Sequence, residues 1–256
     1  MRAILLNILR NRKALSSLLI VVIVIGIILV AIGAALVYYF LLPTNLKTEE
    51  MEFSGFTAVE VGYAFNVSIT QSSSYSVTIT ADKRIIDDVE VTHTENTLRI
   101  GLKPGINIGN LVKNAEITMP ELDRLVLSGA SRGTLDGFSS SNQFVLDLSG
   151  ASFLQMTDVN VGDIEINVSG ASTLNGKGSG GDLAAVISGA SNVDLGIFSV
   201  NDANVNLGGA SRAGINLDGR LDAEVSGAST LEYTGEPTLG DINTSGGSTV
   251  RRAVTS

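Results

Sequence analysis

The residues of this chain that could do chemistry are serines, carboxylates and a single histidine. Serines recur in a tetrapeptide, Ser-Gly-Ala-Ser, and Asp163, Asp182 and Asp202 each stand six residues before one copy of it or a variant. A nucleophilic serine needs a base and an orienting partner, and His93 alone cannot serve seven equivalent motifs. Cysteine is absent, so a thiolate nucleophile, a disulfide framework and a Cys-based metal site are excluded. We therefore predict no catalytic residue, and we expect His93 on the surface.

The three aspartates could stack as a column of carboxylates. Calcium prefers such oxygen ligands. The next two copies of the motif, however, carry Arg220 and Leu239 at the same position, and aspartate is an ordinary turn residue. We interpret the column as solvated turn residues, and we predict no metal site, no cofactor and no cofactor-binding residue.

These residues must be positioned by a repeat with a period near twenty. Five copies read Ser-Gly-Ala-Ser and two are variants, Gly-Gly-Ala-Ser and Ser-Gly-Gly-Ser; successive copies begin 21, 20, 19, 20, 18 and 19 residues apart. The seven copies occupy 128–131, 149–152, 169–172, 188–191, 208–211, 226–229 and 245–248. Even spacing of near-identical motifs is the sequence signature of a stacked repeat architecture.

Apolar residues alternate with polar ones directly before each motif, as in Ile164, Ile166 and Val168, which predicts strands with one buried face. Short apolar pairs follow each motif, and turns are predicted at 136–137, 175–176, 218–219 and 234–235. We expect the alanines of the motif to point inward, its glycines to adopt a conformation that other residues resist, and its serines to hydrogen-bond along columns or to the bent backbone.

The region before the first motif also predicts strands. Residues 56–82 read as three alternating strands, 89–102 as a hairpin around Glu95 and Asn96, and 115–127 as the approach to the first motif. We expect these strands to extend or cap the coil, since an exposed end would be a pairing hazard. Arg251 and Arg252 are expected to protect the other end.

The fold class that follows is all-β, a single-stranded parallel β-helix with about 20 residues per coil. Six complete coils at about 4.8 Å each would make a shaft near 30 Å long. A propeller would need longer repeats and a leucine-rich horseshoe would show a helical half.

The amino-terminal residues predict a membrane anchor. Four cations and no acids lie in 1–13, no charged residue lies in 14–46, and 18–42 is almost wholly aliphatic. About 20 apolar residues suffice for a helix to cross a bilayer. We predict a basic cytoplasmic segment at 1–13, a transmembrane helix at 14–42 in contact with lipid, a linker at 43–52 and an exported domain at 53–256. This makes the chain a single-pass cell-membrane protein with an extracytoplasmic carboxyl-terminal domain.

Two processing sites are left open. The stretch Arg-Lys-Ala-Leu-Ser at 12–16 resembles the cleavage site of archaeal type IV pilin-like signal peptides, which would be cut after Ala14. A cut near Ala35 is the alternative, although the apolar run is long for a cleaved signal. Homo-oligomerisation also stays open, because Gly26, Val30 and Ala34 could offer a thin face for helix packing.

The exported part is strongly anionic. All 26 acidic residues and 13 of the 17 basic residues lie from Lys47 onward, which leaves a formal charge of −13. Nucleic-acid binding needs a basic face, so a nucleic-acid partner is excluded.

Several motifs together resemble one known family. They are Phe-x-x-Val-x-Val at 56–61, Val-Ser-Ile-Thr-Gln at 67–71, Tyr-Ser-Val-Thr-Ile-Thr-Ala-Asp at 75–82, Thr-Leu-Arg-Ile at 97–100 and the serial Ser-Gly-Ala-Ser repeats. This set is similar to the auto-transporter adhesin head domain, also called the GIN domain, over about 53–250. The resemblance implies a right-handed β-helix at a cell surface with an adhesive role.

The functional hypothesis is a non-enzymatic, membrane-anchored module that contacts glycans or proteins at the cell surface. One alternative is an envelope structural protein without a specific ligand. A second alternative is a polysaccharide-active β-helix enzyme, which would need acids and bases clustered on one face.

Overall fold

The computed structural model describes residues 45–105 and 111–253 of the 256-residue chain. Within these ranges the chain is built from short strands, and one 3-10 helix, Ile86–Asp88, is the single helical segment. The strands before the first motif are β1 Leu46–Met51, β2 Ala58–Val61, β3 Asn66–Gln71, β4 Ser76–Asp82, β5 Val89–Thr94, β6 Thr97–Leu102 and β7 Lys113–Met119. Apart from the polar β1, these strands are rich in β-branched or alternating apolar residues, as the pattern predicted.

The repeat region contributes two strands for every copy of the motif, one before it and one after it. These strands are β8 Arg124–Leu127, β9 Arg132–Asp136, β10 Phe144–Leu148, β11 Phe153–Asn160, β12 Ile164–Val168, β13 Thr173–Ser179, β14 Leu183–Ile187, β15 Asn192–Val200, β16 Ala203–Leu207, β17 Arg212–Leu217, β18 Arg220–Val225, β19 Thr230–Thr234, β20 Thr238–Thr244 and β21 Thr249–Arg252.

The described strands form two sheets that run along a solenoid. Sheet 1 has the order β1-β4-β7-β3-β9-β11-β13-β15-β17-β19-β21, and sheet 2 has the order β20-β18-β16-β14-β12-β10-β8-β2-β6-β5. From β8 onward the chain alternates between the sheets, and each strand pairs in parallel with its equivalent one coil away, as β10 does with β12 and β11 with β13. The predicted parallel β-solenoid, with about 20 residues per coil and about six coils, is confirmed.

The core lies between the two sheets and is built from columns of equivalent residues. One column crosses five coils of sheet 2 and every member is at most 4 % exposed. Its members are Leu146, Ile166, Ala185, Val205 and Ala223, which are register partners in successive strands. Small and large side chains share this column, which allows the apolar layers of neighbouring coils to interdigitate at high density.

The orientation predicted for the motif is wrong at its alanines. The third residue of each copy is exposed, as Ala171 shows, and the fourth residue, such as Ser172, is buried in six of the seven copies. The turn brings the fourth residue into register with the next inward position, because one residue of shift moves a side chain to the other face of a strand. Buried serine is tolerated because its hydroxyl is hydrogen-bonded: Ser172 Oγ donates to the Ser169 carbonyl oxygen at 2.9 Å.

The glycines of the motif behave as predicted. Gly170 has φ of +77°, a conformation that favours glycine. Stacking of the coils adds a second constraint: a Cβ on Gly170 would lie 2.3 Å from the Gly150 carbonyl oxygen. The same carbonyl accepts a hydrogen bond from the Ala171 N–H at 2.8 Å, so the turns themselves form a ladder along the shaft.

The turn predicted at 175–176 is also wrong, because Asn175 and Gly176 lie inside β13. Gly176 faces the core, where a Cβ would lie 2.5 Å from Leu195 Cδ2 and 3.0 Å from Met156 Cε. The glycine therefore provides room for larger side chains of the neighbouring coils. The turns predicted at 136–137, 218–219 and 234–235 do fall at strand ends.

The amino-terminal strands extend the same two sheets, as expected. The β5–β6 hairpin is antiparallel with Glu95 at its tip in a left-handed conformation, and β3 inserts between β7 and β9 in sheet 1. The prediction of a linker over 43–52 fails for Leu46–Met51, because β1 pairs antiparallel with β4 along its whole length. This strand covers the β4 edge, which would otherwise expose unpaired backbone groups.

The predicted cytoplasmic segment, transmembrane helix and processing sites lie outside the described residues. Among the residues that are described, no helix has the length and apolar character needed to cross a bilayer.

Candidate functional site

The outward side chains of the solenoid form columns along each sheet. On sheet 2 one column runs through Asn167, Val186, Asn206 and Glu224, which are register partners in β12, β14, β16 and β18. Amides and carboxylates dominate this face, and Val186 is an exception at 53 % exposure. The face therefore offers many hydrogen-bonding groups at the spacing of adjacent strands.

The aspartates at the turns before β12, β14 and β16 stack as predicted, and their carboxylates bind backbone. Asp163 Oδ1 accepts from the Asp182 N–H at 2.9 Å, and Asp182 Oδ1 accepts from the Asp202 N–H at 3.2 Å. Asp202 Oδ1 in turn accepts from the Arg220 N–H at 2.7 Å. Each carboxylate thus accepts a hydrogen bond from a backbone N–H in the turn of the next coil. In the described part of the chain no three Asp, Glu or His side chains form a group able to hold a metal ion.

The motif serines and the histidine do not meet. In six copies the serine at the fourth position is at most 2 % exposed. These residues are Ser131, Ser152, Ser172, Ser191, Ser211 and Ser229. His93 lies on the exposed strand β5 at one edge of sheet 2, where its ring makes edge contacts with Phe53 and Phe56 at centroid distances of 6.2 and 6.0 Å. Periodic serines therefore have a structural role in the turns.

A groove of about 410 Å³ crosses sheet 1 over β7, β3, β9 and β11. Its floor is the backbone of Val67, Ala115 and Gly133, whose buried positions face the core. Two columns of outward side chains form its walls, the first being Asn114, Asn66, Arg132 and Phe153 and the second being Glu116, Ser68 and Thr134.

The first wall combines a cation, an aromatic ring and paired amides. The Arg132 guanidinium lies over the Phe153 ring with its carbon 5.7 Å from the ring centroid, a cation–π contact. Asn66 Nδ2 donates to Asn114 Oδ1 at 3.1 Å, which fixes the orientation of both amides. Arg132 is exposed and Phe153 is partly exposed, so ring, guanidinium and amides are all accessible from solvent.

Arg132 differs from most arginines of the described ranges in having no acidic partner there. Six of the eight form ion pairs, for example Arg124 with Asp147 at 2.5 Å and Arg220 with Asp222 at 2.7 Å. Arg212, in the same outward column as Arg132, is the other exception. A free guanidinium on a domain of charge −13 is a local site of positive potential.

Sequence reasoning missed this groove, although one signal for it was present. The residue directly after the motif faces outward in every coil, and it is polar or charged at Arg132, Thr173, Asn192 and Arg212. Phe153 is the departure from this rule. Asn66 and Asn114 come from before the repeats, and their position beside Arg132 depends on the insertion of β3 between β7 and β9.

Two buried ionisable groups lie near the amino-terminal end. Hydrogen bonds from the Arg84 side chain, and then from the Arg84 backbone N–H, lower the pKa of Asp82 to about 2. Burial lowers the pKa of Lys113, which is 4 % exposed at the start of β7. Asp82 has a structural role, because its hydrogen bonds with Arg84 fix the turn between β4 and the 3-10 helix.

Fold and surface together define a repeat-built β-solenoid that presents regular polar faces. Residues 55–237 match the family described as "Putative auto-transporter adhesin, head GIN domain". The chain belongs to this family, and the resemblance noted from its motifs is confirmed. No curated protein sequence matches the chain.

Solved structures share the fold at low sequence identity. A putative adhesin from Bacteroides fragilis is 19 % identical with a TM-score of 0.75, over 82 % of this chain and 98 % of that one. A putative adhesin from Parabacteroides merdae is 17 % identical with a TM-score of 0.61, over 82 % and 97 %. A putative lipid binding protein from Parabacteroides distasonis is 14 % identical with a TM-score of 0.62, over 82 % and 97 %.

Proposed function

We propose that this protein is a membrane-anchored, extracytoplasmic and non-catalytic module that makes adhesive contacts at the cell surface, with glycans of the envelope or of a neighbouring cell as partners. The observation that carries the proposal is the pair of regular outer faces, on which polar side chains stand in register over successive coils. Stacked repeats create extended surfaces of the kind that bind long or repetitive ligands.

The family and the names of its structural relatives support this direction. Two of the relatives above are named putative adhesins and one a putative lipid binding protein, and none of the three is named as an enzyme. The distribution of the motif serines agrees, because their hydroxyls lie within the turns.

Anchoring rests on the amino-terminal sequence alone. Its basic start and long uncharged apolar stretch favour a cytoplasmic amino terminus and an exported solenoid. Protease added to intact cells tests this topology: we expect loss of a carboxyl-terminal epitope tag without lysis. A tag that is cut only after lysis would place the solenoid inside the cell and contradict the proposal.

Adhesion is tested by glycan-array binding of the full-length protein purified in detergent. Reproducible binding to a set of related saccharides supports the proposal, and release of shortened saccharides would establish the enzyme alternative instead. A structural envelope protein without a specific ligand would bind none of them. The same protein, unfolded by heat before application, controls for non-specific retention.

A further inference from the structure

From the groove on sheet 1 we infer a binding site for a carboxylate-bearing saccharide, in which Arg132 holds the carboxylate and Phe153 supports a sugar ring. The inference rests on the proposed glycan-binding function and specifies its site and its ligand class. It is carried by the juxtaposition of four elements, β7, β3, β9 and β11, whose outward side chains place a guanidinium, an aromatic ring and two paired amides side by side.

Arg132 supplies the charge recognition. Its guanidinium has no acidic partner in the described ranges, while Arg124 and Arg220 on sheet 2 are paired with Asp147 and Asp222. A planar guanidinium presents parallel N–H donors that match a carboxylate in a bidentate pair. The domain as a whole carries −13, so recognition of a carboxylate here depends on local pairing with Arg132 and not on the overall charge of the domain.

Phe153 supplies an apolar surface where the repeat otherwise places a polar residue. The face of a phenyl ring is the negative end of its quadrupole and attracts the slightly positive C–H groups that line one side of a pyranose. Arg132 lies 5.7 Å from the same ring. A sugar stacked beside the guanidinium can therefore place its carboxylate on Arg132.

The rest of the groove supplies hydrogen bonds to hydroxyl groups. The contact between Asn66 and Asn114 leaves an oxygen on one amide and N–H donors on the other, and both remain available to a ligand. Ser68, Thr134 and Glu116 stand along the opposite wall. From β7 to β11 the groove spans three strand spacings, about 14 Å, which suits a short oligosaccharide.

A peptide ligand would use a different feature. Peptides add to sheets through free backbone groups at an edge. Here β3 is paired with β7 and β9, and β9 is paired with β3 and β11, so no edge is open at the groove. The site offers side chains alone, which is the mode expected for a hydroxyl-rich ligand.

The test is calorimetric titration of the full-length protein in detergent with trigalacturonic acid and with its fully methyl-esterified, neutral form. We expect the acid to bind at least about tenfold more tightly than the ester, the factor that loss of one charged hydrogen-bonding pair produces. Arg132→Gln and Phe153→Ala should each weaken binding of the acid by about tenfold or more. Arg132→Lys keeps the positive charge but lacks the parallel N–H donors of the guanidinium. Its affinity for the acid should therefore lie between those of the wild type and Arg132→Gln.

Arg212→Gln is the matched control. Within the described ranges this arginine is also without an acidic partner, and it lies in the same outward column, where its register partners are Asn192 and Thr230 and no described aromatic ring adjoins. The affinity of Arg212→Gln should equal that of the wild type. Equal binding of acid and ester, or equal losses for Arg132→Gln and Arg212→Gln, would overturn the site while leaving glycan binding intact. Binding of no saccharide in titration or on the array would overturn both proposals.

Discussion

At the scale of residues, the four positions of the motif have distinct physical roles. The second position turns the chain at positive φ, the third stays small at the surface, and the fourth returns to the core as a bonded serine. Ser172 illustrates the role of the fourth position, because its hydroxyl donates to the Ser169 carbonyl and accepts from the Ser152 N–H at 3.3 Å. The serine therefore links two coils as well as closing its own turn.

Ser172→Ala tests the value of that link. The substitution leaves a carbonyl and an N–H buried without their hydroxyl partner, and an unsatisfied buried group costs about 1–3 kcal/mol. We expect the free energy of unfolding of the full-length protein, measured by urea denaturation with far-UV circular dichroism, to fall by this amount. Asn192→Ala, on the outer face, is the control and should change it by less than about 0.5 kcal/mol. Equal losses of unfolding free energy in Ser172→Ala and Asn192→Ala would show that the Ser172 hydroxyl does not stabilise the turn.

Gly170→Ala separates backbone conformation from coil stacking. Both Gly170 and Gly137 have positive φ, +77° and +71°, but an added Cβ at Gly137 meets nothing within 4 Å. Gly137→Ala should therefore show the conformational cost alone, about 1–2 kcal/mol. Gly170→Ala adds a clash with the Gly150 carbonyl oxygen, so we expect a total loss of about 2–5 kcal/mol in the same assay. Similar losses at the two sites would mean that the turns do not stack as described.

At the scale of elements, alternation predicted the strands well because one face of every coil is buried. It located β2, β3, β4, the β5–β6 hairpin and the paired strands of each repeat. It did not reveal β1, whose residues Leu46–Met51 are polar and mostly exposed, since an outer strand held by backbone bonds needs little apolar character. Gly176 was misread as a turn for a related reason: its role depends on Leu195 and Met156 of adjoining coils, which local sequence does not show.

The Asp82–Arg84 contact at the junction between β4 and the 3-10 helix makes the free energy of unfolding depend on pH in the acidic range. Because Arg84 lowers the pKa of buried Asp82 to about 2, below its ordinary value of 3.8, the carboxylate stabilises the fold above the unfolded-state pKa. That contribution disappears as the pH falls from about 4 through about 2. Asp82→Asn should be less stable than wild type by about 1–2 kcal/mol at neutral pH, and the difference should shrink as the pH falls and vanish below the folded-state pKa of about 2. Urea midpoints measured across this range test it; an offset that is independent of pH would contradict the assignment.

At the scale of the whole molecule, the period near twenty was enough to predict a parallel solenoid, because regular repeats stack on their neighbours. The candidate site could be predicted only in part. Phe153 stands out in the sequence as an apolar residue at an outward position, but its partners Asn66 and Asn114 reach it through the order β7-β3-β9-β11, which differs from the order in the chain. Such non-sequential pairing is a property of the assembled sheet.

Because the coils are equivalent units, we expect the solenoid to tolerate the loss of one complete repeat. Deleting 169–187 removes one complete period, comprising a motif, β13 and β14, and leaves β12 followed directly by the next motif and β15. Because β11 and β15 both pair with β13, and β12 and β16 both pair with β14, the new neighbours keep inward residues inward. We expect a shortened protein that unfolds cooperatively, with lower stability because one coil interface is lost.

Deleting 169–178 instead removes half a period and provides the matched control. It joins β12 to β14, two parallel strands of sheet 2, through the four residues 179–182, and a parallel connection needs a crossover of a dozen residues or more. We expect this variant to be degraded by protease under conditions in which the 169–187 deletion resists. The longer deletion also spares β3, β7, β9 and β11, so it should keep wild-type affinity for trigalacturonic acid. If the variant lacking 169–187 fails to fold, the coils are not interchangeable units. If it folds but no longer binds trigalacturonic acid, the binding site does not lie on these four strands.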